Sequence, residues 1–105
     1  MTEARVVLST VGTADDAKRI ARLLVEERLA ACVSLTPIES YYSWMGKIVE
    51  DTERLLVIKT SAARLVELER RLHEIHPYTV PEFVVIEPEY LSAPYLAWLM
   101  ETVSA

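Results

Sequence analysis

Five side chains in this sequence are of types that do chemistry and stand at element boundaries where a fold can use them: Cys32, Lys59, His73, His76 and Glu82. Cys32 heads an apolar run and reads in two ways. Free cysteine is among the most buried residue types, so it suits a small core position; its thiolate is equally a ligand for soft metals such as Cu(I) or Zn(II). His76 stands just ahead of Pro77, where an imidazole either caps the last carbonyls of a helix or joins a site. Glu82 follows Pro81 at the entrance to an apolar segment, and with Cys32 and His76 it would supply three donors if the fold brought them near. His73 lies three residues before His76 and is expected on a solvated flank, since two helix-end histidines without a third ligand make a poor metal clasp. Lys59 ends the apolar run Leu55-Leu56-Val57-Ile58. A Lys/Glu pair at strand ends either forms a surface ion pair or, with tyrosines, a small pocket responsive to anions or metals. A nucleophilic Cys32 activated by His76 has no sequence signature behind it and lacks the exposed, electropositive setting that lowers a thiol pKa.

The counts exclude more than they propose. With 105 residues the chain fits one domain. Only Gly12 and Gly46 are glycine, so no dinucleotide-binding glycine turn, phosphate loop or G-x-S-x-G elbow can be written. One cysteine and two histidines leave a four-ligand Cys/His zinc site out of reach within one chain, so a metal site must be sparse or shared between chains. A net charge of −5 with no basic cluster argues against nucleic acid. The apolar runs fall short of the ~20 residues that span a bilayer, and no export signal is apparent at Met1-Thr2-Glu3-Ala4-Arg5. A cytoplasmic domain without membrane contact is the expectation.

The elements that must position these groups follow from pattern. Val6-Val7-Leu8 reads as a buried strand running to Gly12. Thr13 caps a helix over about residues 13–28, with Asp15 and Asp16 in its first turn and Ala17, Ile20, Ala21 and Leu24 on one face. A strand from Ala30 to Trp44 and another from Ile48 to Thr60 meet at a turn over Met45-Gly46-Lys47, which predicts one long hairpin. Pro37 within it demands a bulge or a sheet edge. Ser61 is expected to cap a second helix carrying Leu65, Leu68, Leu72 and Ile75. Phe83-Val84-Val85-Ile86 is a fourth strand, and Ser92 is expected to cap a third helix with Pro94 in its first turn. The order βαββαβ plus a C-terminal helix is the split-βαβ pattern of a ferredoxin-like α+β sandwich. The hairpin is too long for a small four-stranded sheet to cover, and Tyr41, Tyr42 and Trp44 near its tip are too apolar for solvent. They predict burial against another chain.

Taken together, Glu26-Glu27-Arg28-Leu29-Ala30-Ala31-Cys32-Val33, Tyr42-Ser43-Trp44-Met45-Gly46-Lys47, Ile58-Lys59-Thr60 and His76-Pro77-Tyr78-Thr79-Val80-Pro81-Glu82 resemble the divalent-cation tolerance (CutA) family, as does Tyr95-Leu96-Ala97-Trp98-Leu99. The likeness runs from about Val6 to Val103. It implies a homotrimer of ferredoxin-like protomers, similar in architecture to PII signalling proteins, whose hairpins pair with neighbouring subunits. It also implies a role in the response to metal ions without catalysis. Copper or another divalent metal would be the bound species, with no organic cofactor. Cys32, His76 and Glu82 are the implied metal ligands, and Trp44, Lys59 and Tyr78 the implied lining of an inter-subunit ligand cleft. Some relatives that resemble copper binders carry cysteine and histidine where this chain has Ser9 and Ile75. The competing expectation is a PII-like signalling trimer that takes a small anionic ligand and a partner protein, in which Lys59 would matter more than Cys32.

Overall fold

The computed structural model describes residues 2–104. Its elements are β1 (Ala4–Val11), α1 (Ala14–Glu26), β2 (Cys32–Trp44), β3 (Lys47–Ser61), a 3-10 turn (Ala62–Arg64), α2 (Leu65–Ile75), β4 (Val84–Ile86) and α3 (Ala93–Val103). The four strands form one antiparallel sheet in the order β2-β3-β1-β4. The fold is therefore α+β, with three helices and the element order expected from the sequence.

Strand register explains which residues share a face, because residues directly opposite one another in an antiparallel ladder point the same way. Val85, Val7, Ile58 and Val33 lie in one row across all four strands, followed on the same face by Ser9, Leu56 and Leu35. Here α1 and α2 pack, burying Ile20, Leu24, Leu68 and Leu72 against Val7, Val11, Leu56 and Ile58. The opposite face carries the row Ile86, Val6, Lys59, Cys32 and then Val84, Leu8, Val57, Ser34. At one end of the sheet α3 packs through Leu99 and Val103 on Ala4 and Ala31, forming a second small core. Val84 and Ile86 stay largely exposed.

Local chemistry sets the element ends. The Thr13 side chain accepts the Asp16 amide proton, so α1 starts where its hydroxyl cap predicts. The helix closes through Arg28, which adopts φ 59° while the Leu29 amide bonds back to the Leu24 carbonyl. Arg28 thus takes the left-handed position where glycine is favoured. Ser61 and Ser92 make no side-chain cap. The strand β3 runs on to Ser61 and a 3-10 turn intervenes before α2, because Ser61 is still paired with Ala4 in the ladder.

The hairpin extends as an arm, and the chain measures 45 × 26 × 22 Å. Met45 and Gly46, both at positive φ, make its two-residue turn, the twist that a tight hairpin requires. Pro37 faces Arg54 in an uninterrupted register, and β2 is an edge strand, so the sheet edge and not a bulge accommodates it. Burial along β3 alternates at Leu56, Ile58 and Thr60, and again at Val49, Asp51 and Glu53, but the two series are out of step by one residue. The change falls where the ribbon leaves the helices and becomes a free arm.

Candidate functional site

At the base of the arm, the segment after α2 folds against β1 and β3. His76 ends α2, and its backbone N–H bonds to the Leu72 carbonyl. Its imidazole does not serve the helix carbonyls. Nε2 lies 2.8 Å from the Thr10 carbonyl oxygen on β1, and Nδ1 accepts the Tyr78 amide proton at 3.0 Å. Those two partners require the neutral tautomer with the proton on Nε2. The side chain is buried, and burial pulls its pKa below the ordinary histidine value, against the favourable Thr10 carbonyl and Asp16 and with Arg19 and His73. His73 is exposed and turns Nδ1 toward the Glu69 carbonyl of its own helix, 3.0 Å away.

His76 fixes Tyr78, whose ring lies 4.8 Å from the imidazole. The Tyr78 hydroxyl points at Glu53, 3.4 Å from Oε2, and a β-carbon at Gly12 would come within 3.2 Å of the same hydroxyl. Gly12 is thus small because a tyrosine oxygen passes beside it. Burial, reinforced by the charges of Glu53 and Asp51, pushes the Tyr78 phenol up to about 12. Glu53 is only 7% exposed and forms no ion pair among the described residues. A carboxylate so placed lacks the opposite charge that normally accompanies burial. Further along the arm, Tyr42 donates to Asp51 at 3.3 Å and Tyr41 to Glu50 at 2.8 Å. Asp51 and Glu53 thus share one face of the arm with Tyr42, while Tyr41 and Glu50 pair on the other.

Cys32 and Lys59 belong to a different place. They face each other across β2 and β3 on the sheet face away from α1 and α2, with Lys59 Nζ 3.8 Å from Cys32 Sγ and 3.1 Å from Ser34 Oγ. Cys32 is half-buried, so its position is not the core one that its apolar neighbours suggest. Glu82 is exposed and forms no ion pair with Lys59. Trp44, Tyr41 and Tyr42 lie on the arm at 63%, 66% and 40% exposure. The structure brings His76 to Tyr78 and Cys32 to Lys59, but no three His, Cys, Asp or Glu side chains gather as a metal cluster among the described residues. Sequence reasoning missed Glu53 and Asp51. Their signal was the period-two series Val49, Asp51, Glu53 inside a strand, which places two carboxylates on one face of the arm.

These features define a small α+β protein with a long β arm, a neutral, doubly bonded histidine at the base of that arm, and a buried glutamate, Glu53, beside the Tyr78 hydroxyl. Residues 5–102 match the family model of the CutA1 divalent ion tolerance protein, and the chain belongs to that family. It is 47% identical over 97 residues to a divalent-cation tolerance protein CutA of Thermus thermophilus, covering 91% of this chain and 94% of that one. It is 48% identical over 84 residues to protein CutA of Mus musculus, covering 79% of this chain and about half, 48%, of that protein's length. Among solved structures, CutA from Synechococcus elongatus superposes with a TM-score of 0.96 at 40% identity, covering 99% of this chain and 93% of that one. The Thermus thermophilus structure superposes at 0.92 with 45% identity, covering 96% and 99%. No helix among the described residues is long and apolar enough to cross a membrane.

Proposed function

We propose that this protein is a cytoplasmic, non-enzymatic homotrimer of ferredoxin-like protomers that acts in the response to divalent metal ions, each arm lying against a neighbouring subunit. The exposed apolar arm carries the assembly reading: Tyr41, Trp44, Met45 and Ile48 are 63–87% exposed on a single chain, beside a β2 edge with no partner strand. Burying such a surface on another copy removes both the apolar area and the open edge. The exposed Val84 and Ile86 on the sheet's second face support the same reading.

For the metal, Cys32, His76 and Glu82 fit poorly within one chain. Both His76 nitrogens are engaged, and the Cys32 sulfur faces an ammonium. Oxygen donors at Glu53 and Asp51 fit better. Glu53 is buried with no cationic partner among the described residues, and carboxylates suit hard divalent ions more than Cu(I). The ion-binding cleft therefore centres on Glu53, with Tyr78 at its edge and the neighbouring arm's aromatic residues closing it. Calorimetric titration with Mn(II), Zn(II), Cu(II) and Cu(I) tests this on wild type, Glu53→Gln and Cys32→Ser. Binding lost in Glu53→Gln and kept in Cys32→Ser is the expected result. Heats no larger than a chelator-treated control overturn the metal reading, and loss only in Cys32→Ser returns the site to the thiol. Sedimentation of wild type as a monomer overturns the trimer.

A further inference from the structure

The sheet face turned away from α1 and α2 carries two opposite charges in separate places. Register puts Lys59, opposite Cys32, and Glu53, opposite Ile38, on the same side of β3. At ~3.3 Å per residue they stand roughly 20 Å apart along the strand, too far to meet within one chain. Neither has an opposite charge within reach among the described residues. Glu53 is buried, and its side chain meets only the uncharged Tyr78 hydroxyl there. The Lys59 ammonium is half-buried and rests on the Ser34 hydroxyl and the Cys32 sulfur. An ammonium has three protons to donate, and two neighbours leave one over. The same face exposes Val84 and Ile86, and the homotrimer reading covers it with another copy. That covering would strip the remaining water from both charges, which is costly unless each gains a partner.

We infer that the copies are joined by an ion pair between Lys59 of one subunit and the partner subunit's Glu53. The inference rests on the homotrimer reading and names a contact that completes its cleft. Charge complementarity selects the occupant, since each copy carries both halves of the pair on the face to be covered. In a closed ring every subunit gives its Lys59 to one neighbour and receives a lysine from the other, so no charge is left over. The other cations of the hairpin fit less well. Lys47 is exposed at the arm's tip and already solvated, and Arg54 lies on the opposite side of β3, paired across the ladder with Pro37 and Val11. A divalent ion bound at Glu53 would take the place of the ammonium, so the cleft stays charge-balanced with or without metal.

The test is a charge swap read by sedimentation equilibrium in EDTA, with circular dichroism confirming that each variant keeps its helices. Lys59→Glu sets two carboxylates against each other and Glu53→Lys two ammoniums. Each alone should weaken assembly roughly a hundredfold or more, and the double variant should return to within about tenfold of wild type. Where a reversed charge prevents folding, the neutral cycle decides: Lys59→Met combined with Glu53→Gln should assemble no worse than either single variant. A double swap no better than the weaker single, additive losses in the neutral cycle, or rescue of Glu53→Lys by Lys47→Glu in place of Lys59→Glu would each overturn the pairing while leaving the trimer standing. Wild type that sediments as a monomer overturns the pairing and the trimer together.

Discussion

Replacing His76 with alanine removes two hydrogen bonds at once: Nε2–H to the Thr10 carbonyl, and the Tyr78 amide to Nδ1. Each contributes about 1 kcal/mol net, and leaving the Thr10 carbonyl and the Tyr78 amide without partners adds to the loss where water does not reach them. The Tyr78 ring also loses its neighbour at 4.8 Å. Together these give an expected destabilisation of roughly 2–3 kcal/mol, which for a domain of this size lowers Tm by roughly 10–20 °C. The sign of the pH dependence is fixed by the lowered pKa of His76. The folded protein binds this proton less readily than the unfolded chain does. Its contribution to stability is therefore complete above about pH 6.5, the unfolded value, and is lost progressively as pH falls toward and through the folded one. The structural cause is that an imidazolium cannot accept the Tyr78 amide proton. Differential scanning calorimetry of wild type, His76→Ala, His76→Gln and the exposed-site control His73→Gln, at fixed protein concentration from pH 8 to pH 5, checks both parts. Wild type and His73→Gln should lose stability below about pH 6.5 more steeply than the two His76 variants. If His76→Ala melts with wild type, or if its pH profile runs parallel to wild type, the two-bond role described for His76 is wrong.

Three further outcomes follow from local geometry. Arg28→Gly should stabilise the fold by about 1 kcal/mol, since a side chain at φ 59° carries a steric cost that glycine avoids; chemical denaturation at constant assembly state measures it. Ser9→Ala should be neutral or stabilising by up to about 1 kcal/mol, because the buried Ser9 hydroxyl has no hydrogen-bond partner among the described residues and its removal relieves an unsatisfied group; a clear loss of Tm would contradict that. Trp44→Ala should shift sedimentation equilibrium toward smaller species, with the fold of the helical face retained by circular dichroism; an unchanged assembly would remove Trp44 from the proposed interface.

How far the sequence led depends on whether a feature is local. Helix α1 was legible because Thr13, Asp15 and Asp16 mark its start and Ile20 and Leu24 its buried side within one continuous stretch. Ser61 misled because a good capping residue type also serves as a strand end, and only pairing with Ala4 decides between the two. The Cys32–Lys59 contact follows from the turn. Once Trp44 opposes Lys47, stepping back along both strands reaches that pair, but a slip of one residue at Met45-Gly46 would put the two on opposite faces. The Glu53–Tyr78 contact had no such route. Tyr78 lies in the irregular segment between Pro77 and Pro81, and its approach to β3 depends on where α2 ends against the sheet. The same dependence hid the role of His76, whose partner Thr10 is 66 residues away in sequence.

In the proposed homotrimer the arm has a kinetic consequence. A newly synthesised chain can complete its helical face alone, since the core around Leu56, Ile58, Leu68 and Leu72 lies within one protomer. Its arm then waits with Tyr41, Trp44 and Ile48 in water and the β2 edge open, the features that template indiscriminate pairing. Productive docking and aggregation both accelerate with concentration, so the yield of refolding should pass through an optimum rather than rise steadily as the protein is diluted. On the proposed assembly, the most vulnerable moment in this molecule's life is the interval between folding and finding its neighbours.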